Sequence, residues 1–299
     1  MRHSTAAVPD VSPFDLEQSE TYARWRDRKL EQHPGQLHDL LVEVRDPRRL
    51  TPAEHQAILD RCRRANMAIY CGHTGDDPDK EIVRALGRQF GLIRLDHNMG
   101  ADEDAITSLR VQSDALHRGY IPYSNRPISW HTDSYYNTPD HQIHGLLLHC
   151  VHPAQMGGEN ELLDQEIAYI LLREENTDYI GTLMHPRAMT IPANLVDGEE
   201  LRPDQSGPVF SLMPDGHLHM RYTDRKRNIV WRDDPLTLEA VAFLKKVLHG
   251  KSPWHFQGRL EAGWGLVSNN VLHTRTGFED GEHPRLLYRG RYYDRIEGT

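Results

Sequence analysis

Residues 143–151 read Ile-His-Gly-Leu-Leu-Leu-His-Cys-Val, a short and mostly apolar run with the length of a β-strand. Pro214-Asp215-Gly216 separates two further runs of this kind, as in a hairpin. Six strands are predicted between residues 106 and 293. Their number and wide spacing predict a barrel or a double sheet with helices packed outside it. A doubly wound parallel sheet fits poorly, because no Gly-x-Gly-x-x-Gly follows a strand. The predicted strands of this region are Ile106–Val111, Ile143–Val151, Val209–Met213, His217–Tyr222, Gly265–Ser268 and Arg285–Tyr293.

Helical patterns fill much of the first third of the chain and recur between the strands. Thr51-Pro52-Ala53-Glu54 is a capping box with Pro at the first helical position, and it predicts a helix that continues to about Ala65. Asp77-Pro78 is expected to open another helix, which ends at Gly91. Further helices are predicted at Glu20–Gln32, Asp164–Glu175 and Thr237–His249, and early strands at Leu40–Val44 and Met67–Cys71. The pattern predicts a mainly β protein with flanking helices, an α+β fold.

Composition narrows the class of protein. The chain has 299 residues, with 35 Lys and Arg against 44 Asp and Glu, and its net charge of −9 disfavours nucleic acid or an anionic membrane as the main partner. No apolar run approaches the roughly 18–20 residues that span a bilayer. Met1–Pro13 lacks a signal-peptide pattern, and Cys62, Cys71 and Cys150 cannot build a disulfide framework. We therefore expect a cytoplasmic protein that acts on a small molecule.

Domain organisation is predicted from the absence of internal boundaries. Neither repeats nor a Gly/Ser linker interrupt the chain, so residues 1–299 are expected to form a single domain. Residues 1–50 are expected to add an N-terminal helical and strand extension that packs on the core. The oligomeric state stays open, and a homo-oligomer is compatible with the sequence.

Trp130-His131-Thr132-Asp133 is the first candidate for chemistry. In extended backbone, residues two apart point to the same side, so His131 and Asp133 can converge on one ion. Two imidazoles and one carboxylate form the facial triad that holds non-haem Fe(II) and leaves positions open. His-x-Asp is weak evidence alone, because the chain contains 19 His.

Val271-Leu272-His273-Thr274-Arg275 supplies a second histidine at a predicted strand end, and Arg285 and Arg289 follow it. Arginine is always charged and grips a carboxylate through its planar fork. Arg285 would return along the next strand beside a metal held by His273, where it could anchor the far end of a dicarboxylic cosubstrate. The alternative for these arginines is a solvated strand face.

Several stretches together resemble the taurine dioxygenase-like (TauD/TfdA) family of Fe(II)/2-oxoglutarate-dependent dioxygenases, over roughly residues 60–295. Gly157-Gly158-Glu159-Asn160 resembles the Gly-Gly-Asp-Thr turn of that family. The complete set is Ala68–Gly72, Ile82–Gly87, Trp130–Asp133, Gly157–Asn160, Ser268–Arg275 and Arg285–Arg289. The resemblance implies a double-stranded β-helix (jelly-roll, cupin-like) core, with Fe(II), 2-oxoglutarate and O2 as cofactor and cosubstrates.

Site residues carry over from this resemblance by position. His131, Asp133 and His273 become the iron ligands and the catalytic centre. Arg285 becomes the partner of the distal carboxylate of 2-oxoglutarate, while Arg289 serves the cosubstrate or a substrate anion. Asn160 takes the place of a cosubstrate-contacting Thr, and can still donate or accept a hydrogen bond. The implied reaction is oxidation, most simply hydroxylation, of a C–H bond of a small organic acid or amino-acid-like substrate, with 2-oxoglutarate converted to succinate and CO2.

Alternatives remain at this point. The same donors bind Zn²⁺. The alternative interpretation is therefore a non-oxygenase metalloprotein on the same barrel, which would be a lyase, an isomerase or a small-molecule binder. Tyr135 and Tyr136 either line a substrate pocket or pack the mouth of the barrel. The histidines within His141–His152 point to both faces of a strand and cannot all meet one ion. His217 and His219 share a strand face, where a structural role competes with chelation.

Overall fold

The computed structural model describes residues 12–97, 102–112, 120–196, 199–225 and 227–299. Within these ranges the helices are α1 (Ser19–Gln32), α2 (Pro52–Ala65), α3 (Glu81–Gln89), α4 (Gln165–Glu175), α5 (Thr177–Leu183) and α6 (Pro235–His249). The strands of the first half are β1 (Leu41–Val44), β2 (Met67–Gly72), β3 (Thr107–Leu109), β4 (Ile128–His131), β5 (Gly145–His152), β6 (Met156–Gly157) and β7 (Asn160–Leu163).

The remaining strands of these ranges are β8 (Met189–Ile191), β9 (Asn194–Val196), β10 (Glu199–Arg202), β11 (Gln205–Gly207), β12 (Phe210–Leu212), β13 (Leu218–Met220), β14 (Val230–Trp231), β15 (Phe256–Gly258), β16 (Trp264–Ser268), β17 (Leu272–Arg275), β18 (Phe278–Glu279) and β19 (Leu286–Tyr292). Short 3₁₀ turns cover Leu37–Leu40, Ile121–Tyr123 and Pro139–His141. The fold is therefore a mixture of helices and strands. No helix in the described part of the chain is both long enough and apolar enough to cross a membrane.

The chain divides into two compact units that alternate along the sequence. One comprises Met1–His33, Gln165–Arg221 and Arg227–His249, and we call it the helical unit. The other comprises Pro34–Asp164, Tyr222–Lys226 and Gly250–Thr299, and we call it the sheet unit.

The sheet unit is organised by a six-stranded sheet of order β1-β2-β16-β5-β19-β3. β1 and β2 are parallel, and the other pairings are antiparallel. Side chains of α2 and α3, such as Ile58 and Val83, share an apolar cluster with Tyr288 and Tyr292 of β19. These helices therefore cover one face of the sheet.

The opposite face contributes to a second apolar cluster, which it shares with a four-stranded sheet of order β15-β7-β17-β4. Leu148 and Leu287 come from the larger sheet, and Leu162 and Phe256 from the smaller one. The core of the unit is thus shared by two sheets, and a two-stranded β18-β6 ribbon completes it.

The helical unit packs α4, α5 and α6 against one another beside its own small sheets. An aromatic cluster surrounds Tyr169 of α4, whose ring lies 5.4 Å from Phe14 and 5.5 Å from Phe210. Arg173 lies 3.8 Å over the ring of Tyr22 and donates to the carbonyl of Pro13. Burial of these rings fixes the start of the described chain onto α4.

Most predicted helices are found within two residues of their expected ends, including α2 with both hydrogen bonds of its capping box. The helix expected from Asp77 was placed too early, because it begins at Glu81. Asp77 accepts from the backbone of Asp79, and Asp79 accepts from Glu81, so tight side-chain turns occupy this segment. The helix Thr177–Leu183, capped by Asn176, was not predicted.

Gly265, in β16 at the middle of the six-stranded sheet, provides a test of the core. A methyl group there would overlap the carbonyl oxygen of Leu148 and the ring of Tyr70. We expect Gly265→Ala to lower the free energy of unfolding by about 2–3 kcal/mol, because neither neighbour can withdraw without disturbing the sheet. Gly35→Ala is the matched control, since its nearest atom, Asp39 Oδ2, is 3.9 Å away. Urea denaturation of both variants measures the difference, and equal stabilities would contradict this account of the sheet.

Candidate metal centre

His131 and His273 face each other across two strands. β4 and β17 are antiparallel, and His131 and His273 are direct partners in their register. Side chains of directly opposed residues lie on the same face of a sheet. The two imidazole centres are accordingly 4.2 Å apart.

Asp133 follows β4 by two residues and is fixed through its backbone. Its N–H donates to Oδ1 of Asn270 at 2.8 Å, and Nδ2 of Asn270 donates to the carbonyl of Asp133 at 3.1 Å. The same Nδ2 donates to the carbonyl of Ile143 at 2.8 Å. Asn270 has a φ of 53°, a left-handed conformation that Asn tolerates better than most residues. This buried amide therefore determines where the carboxylate sits.

Both histidines present the same nitrogen to the centre. Nδ1 of His131 donates to the carbonyl of Ser129, and Nδ1 of His273 donates to that of Val271, each at 2.9 Å. A carbonyl only accepts, so Nδ1 carries the proton and Nε2 keeps its lone pair. A backbone carbonyl behind a histidine is the usual support of a metal ligand.

The three side chains form a compact donor set. Each of His131, Asp133 and His273 offers a ligand atom within 4.8 Å of the other two, and Nε2 of His131 is 3.5 Å from Oδ1 of Asp133. Among the residues that the structure describes, this is the one group of three or more such side chains. The second metal site considered for the histidines of 141–152 is therefore absent from the described residues. Two imidazoles and a carboxylate fit Fe(II).

The electrostatics favour the ligand forms of these groups. Burial opposes the charge of Asp133, but the nearby guanidinium groups of Arg289 and Arg291 outweigh it and hold the pKa of Asp133 well below its ordinary value. Burial and the neighbouring His131 lower the pKa of His273 to about 4. Near neutral pH the site thus holds a carboxylate and a neutral imidazole, the forms that bind metal.

Arg289 lies beside the centre. Its Nη1 is 3.3 Å from Oδ2 of Asp133, and both side chains are buried. Arg291, two residues further along β19, forms an ion pair of 2.8 Å with Asp96 and donates to the hydroxyl of Tyr136 at 3.0 Å. Arg291 is therefore neutralised by Asp96, whereas Asp133 is the carboxylate partner of Arg289 among the described residues.

Arg285 and Asn160 line a separate crevice of the sheet unit, together with Gly158. Arg285 is only 4% exposed, yet its guanidinium has no hydrogen-bonded carboxylate within the described ranges. Asn160 already uses Nδ2, which donates to the carbonyl of Thr274 at 2.6 Å and links β7 to β17. Its Oδ1 is the atom left for another contact.

Tyr135 and Tyr136 directly follow the metal-ligand segment, and their rings pack edge to face at 5.3 Å. Tyr135 is buried, which raises its pKa to about 12, and the guanidinium of Arg225 lies 5.4 Å over its ring. Tyr136 is half-buried and is held by Arg291. Both residues therefore border the centre.

Sequence reasoning did not identify Arg291 or Asn270 as site residues. Arg291 shares a face of β19 with Arg289, and a period of two along Arg285–Tyr293 would have indicated this. Asn270 lies in the quoted second motif, but its hydrogen bonds to a segment 137 positions away leave no local signal. His149, in contrast, is a buried structural residue whose Nδ1 shares a hydrogen bond of 2.8 Å with the hydroxyl of Tyr70.

The chain is similar to known proteins in sequence and in fold. A family model described as "Taurine catabolism dioxygenase TauD, TfdA family" matches residues 27–291. A uridine-5'-phosphate dioxygenase of Amycolatopsis is 26% identical over 86% of this chain and 97% of its own, and one of Streptomyces is 27% identical over 68% and 77%. A solved structure of the non-haem iron oxygenase OrfP with Fe, succinate and (3S)-hydroxy-L-Arg superposes with a TM-score of 0.60 at 16% identity, covering 94% and 90% of the two chains. That last similarity concerns the fold.

Asn270 can be tested through metal affinity. Asn270→Ala removes both hydrogen bonds that fix the backbone of Asp133, so we expect it to bind Mn(II) about 10–100-fold more weakly, the usual effect of losing a supporting group. Asn228→Ala is the control, because Asn228 is also left-handed but exposed. Isothermal titration of metal-free protein measures both constants. Wild-type affinity in Asn270→Ala would show that the clamp does not support the carboxylate.

Proposed function

This chain belongs to the TauD/TfdA family of Fe(II)- and 2-oxoglutarate-dependent dioxygenases, and we propose that His131, Asp133 and His273 hold its iron. The observation that carries the proposal is the convergence of one carboxylate and two imidazoles, each of which has its Nδ1 hydrogen-bonded to a backbone carbonyl. When bound, Fe(II) with 2-oxoglutarate and O2 supplies the oxidation of a C–H bond, with release of succinate and CO2.

The chain's own contribution is to orient the ligands and to keep charge balanced. The two carbonyls behind the histidines maintain their tautomer, and Asn270 holds the carboxylate in place. Arg289 beside Asp133 keeps this carboxylate ionised and partly offsets its charge. Burial of Asp133 and His273 limits the access of water to the centre.

Arg285 is proposed to anchor the distal carboxylate of 2-oxoglutarate, with Oδ1 of Asn160 as a further contact. A buried guanidinium with no hydrogen-bonded carboxylate among the described residues is costly unless an anion joins it. The crevice that it shares with Asn160 is where such an anion would bind. Arginine suits this role because its fork binds a carboxylate through two parallel hydrogen bonds.

We propose that the six-stranded and four-stranded sheets are the halves of a double-stranded β-helix, since they share one apolar core. The family match runs through segments of both compact units, from residue 27 to residue 291. This continuity supports a single oxygenase domain.

For the substrate, we propose a small anionic molecule, with uridine 5'-phosphate as the first candidate. Two relatives that carry this substrate in their names are similar to the chain over most of its length. Arg289 supports an anion, because its Nε has no hydrogen-bond partner among the described residues. Tyr135 and Tyr136 would offer aromatic surface to a planar base. Arg225, which is exposed above Tyr135, would add a second cation.

The iron ligands are tested by removing them one at a time. We expect His131→Ala, Asp133→Ala and His273→Ala each to reduce succinate formation to background, because two remaining donors hold Fe(II) too weakly. His141→Ala is the control, because His141 is exposed and its ring forms a hydrogen bond with Thr138, three residues away. The anaerobic visible band that 2-oxoglutarate forms with the iron-loaded protein gives a second readout. If one of these variants keeps full turnover, the ligand assignment is wrong. If the wild-type protein binds metal but consumes no 2-oxoglutarate, the lyase or small-molecule binder alternative is favoured.

Substrate class is tested by the dependence of succinate release on the added compound. We expect uridine 5'-phosphate to raise the rate of succinate release at least tenfold above the rate without substrate. We expect uridine to raise it much less, because uridine lacks the anion that Arg289 would meet. L-Arginine and L-asparagine serve as amino-acid comparisons. If uridine 5'-phosphate has no effect while another compound does, the substrate proposal fails and the dioxygenase assignment does not.

A further inference from the structure

Phe278 contacts two buried guanidinium groups. The Cζ atom of Arg285 lies 5.0 Å from the centre of its ring, and that of Arg275 lies 4.9 Å from the same centre. All three side chains are at most 5% exposed. Cation–π contacts are strongest when they are withdrawn from water, as here.

Arg275 is fixed independently of any ligand. Its Nη2 donates to the carbonyl of Ser124 at 2.7 Å, and its Nη1 reaches that of Pro122 at 3.5 Å. Its backbone pairs with Ile128 in the register of β17 and β4. These acceptors are neutral, so the Arg275 charge is held in place without a carboxylate among the described residues.

Among the described residues, no backbone carbonyl accepts a hydrogen bond from the guanidinium of Arg285. Its backbone N–H donates to Oδ1 of Asp280 at 2.8 Å, which fixes the main chain but not the fork. Gly158, with a φ of 78°, leaves the space beside Nε, where a methyl group would come within 3.5 Å. The ring of Phe278 lies against the guanidinium. This contact therefore constrains the orientation of the Arg285 guanidinium.

Phe278 itself has a fixed backbone. Its N–H donates to the carbonyl of Asn125 at 3.1 Å, and it pairs with Gly157 across the β18-β6 ribbon. The main chain thus holds the Phe278 ring in place. The ring also contacts the guanidinium of Arg275, which backbone carbonyls hold. Two like charges near one ring repel each other, and a dianion bound at Arg285 would relieve that repulsion.

We propose that Phe278, braced by Arg275, is a positioning residue that orients Arg285 toward the distal carboxylate of 2-oxoglutarate. The inference rests on the proposed role of Arg285 and adds the groups that make its fork ready for the anion. Preorganisation of this kind lowers the cost of binding and not the chemistry that follows. Its effect is confined to ligands that carry the second carboxylate.

The test is a binding measurement on the Mn(II)-loaded full chain. Isothermal titration compares 2-oxoglutarate with 2-oxobutyrate, a keto acid that lacks the distal carboxylate. We expect Phe278→Leu to weaken 2-oxoglutarate binding about tenfold, which corresponds to a buried cation–π contact, and to leave 2-oxobutyrate binding unchanged. Phe278→Tyr keeps the ring and restores most of the affinity. Phe243→Leu is the matched control, because Lys246 lies 5.7 Å over that ring in α6.

Two outcomes separate the inference from the function on which it rests. If Arg285→Gln binds 2-oxoglutarate as the wild type does, the anchor itself is misassigned and the proposed role of Arg285 fails. If Arg285→Gln loses affinity but Phe278→Leu does not, or if Phe278→Leu weakens both keto acids equally, the positioning role alone is overturned. Phe278→Met, which keeps apolar volume without a ring, replaces Phe278→Leu if the latter does not fold.

Discussion

The antiparallel pairing of β4 with β17 is the constraint on which the site depends. It sets His131 opposite His273, and the register shifts between that pair and the pair Arg275 and Ile128. The shift places one extra residue on β4, a bulge of the kind that re-aims side chains near active sites. A slip of one residue in either strand would send one imidazole to the other face. The two imidazoles therefore face each other only in this register, and the apolar core shared by the two sheets holds the strands there.

Side chains of β19 point alternately to the two faces of the six-stranded sheet. Tyr288 and Tyr292 belong to the apolar cluster under the helices, while Leu287 belongs to the cluster between the sheets. Arg289 and Arg291 alternate with these tyrosines and so point to the side of Leu287. This alternation brings two positive charges beside a carboxylate ligand without exposing them. Asp96 balances one of these charges and Asp133 the other, so the interior beside these two arginines stays close to neutral.

Sequence alone selected the three side chains that the structure brings together, because a His-x-Asp in extended backbone and a distant His carry their chemistry in residue type and spacing. It also located the capping box of α2, whose hydrogen bonds are local. It could not locate Asn270 as a clamp, since that role depends on contacts made only after folding. The misplaced start of α3 has the same origin on a smaller scale. Asp77 and Asp79 have partners outside the helix, including Arg48, and these compete with helix formation.

Arg285 differs from Arg289 in a way that residue type does not reveal. Both are buried arginines of one segment, and both could meet an anion. Arg289 already faces a carboxylate of the protein, so an anion arriving there competes with or bridges an existing pair. Among the described residues, the guanidinium of Arg285 contacts an aromatic ring and has no hydrogen-bonded carboxylate, so its fork is able to meet a ligand. A carboxylate bound at Arg285 would add a hydrogen-bonded negative charge that the described residues do not place on this guanidinium, and the crevice would therefore favour anions over neutral ligands.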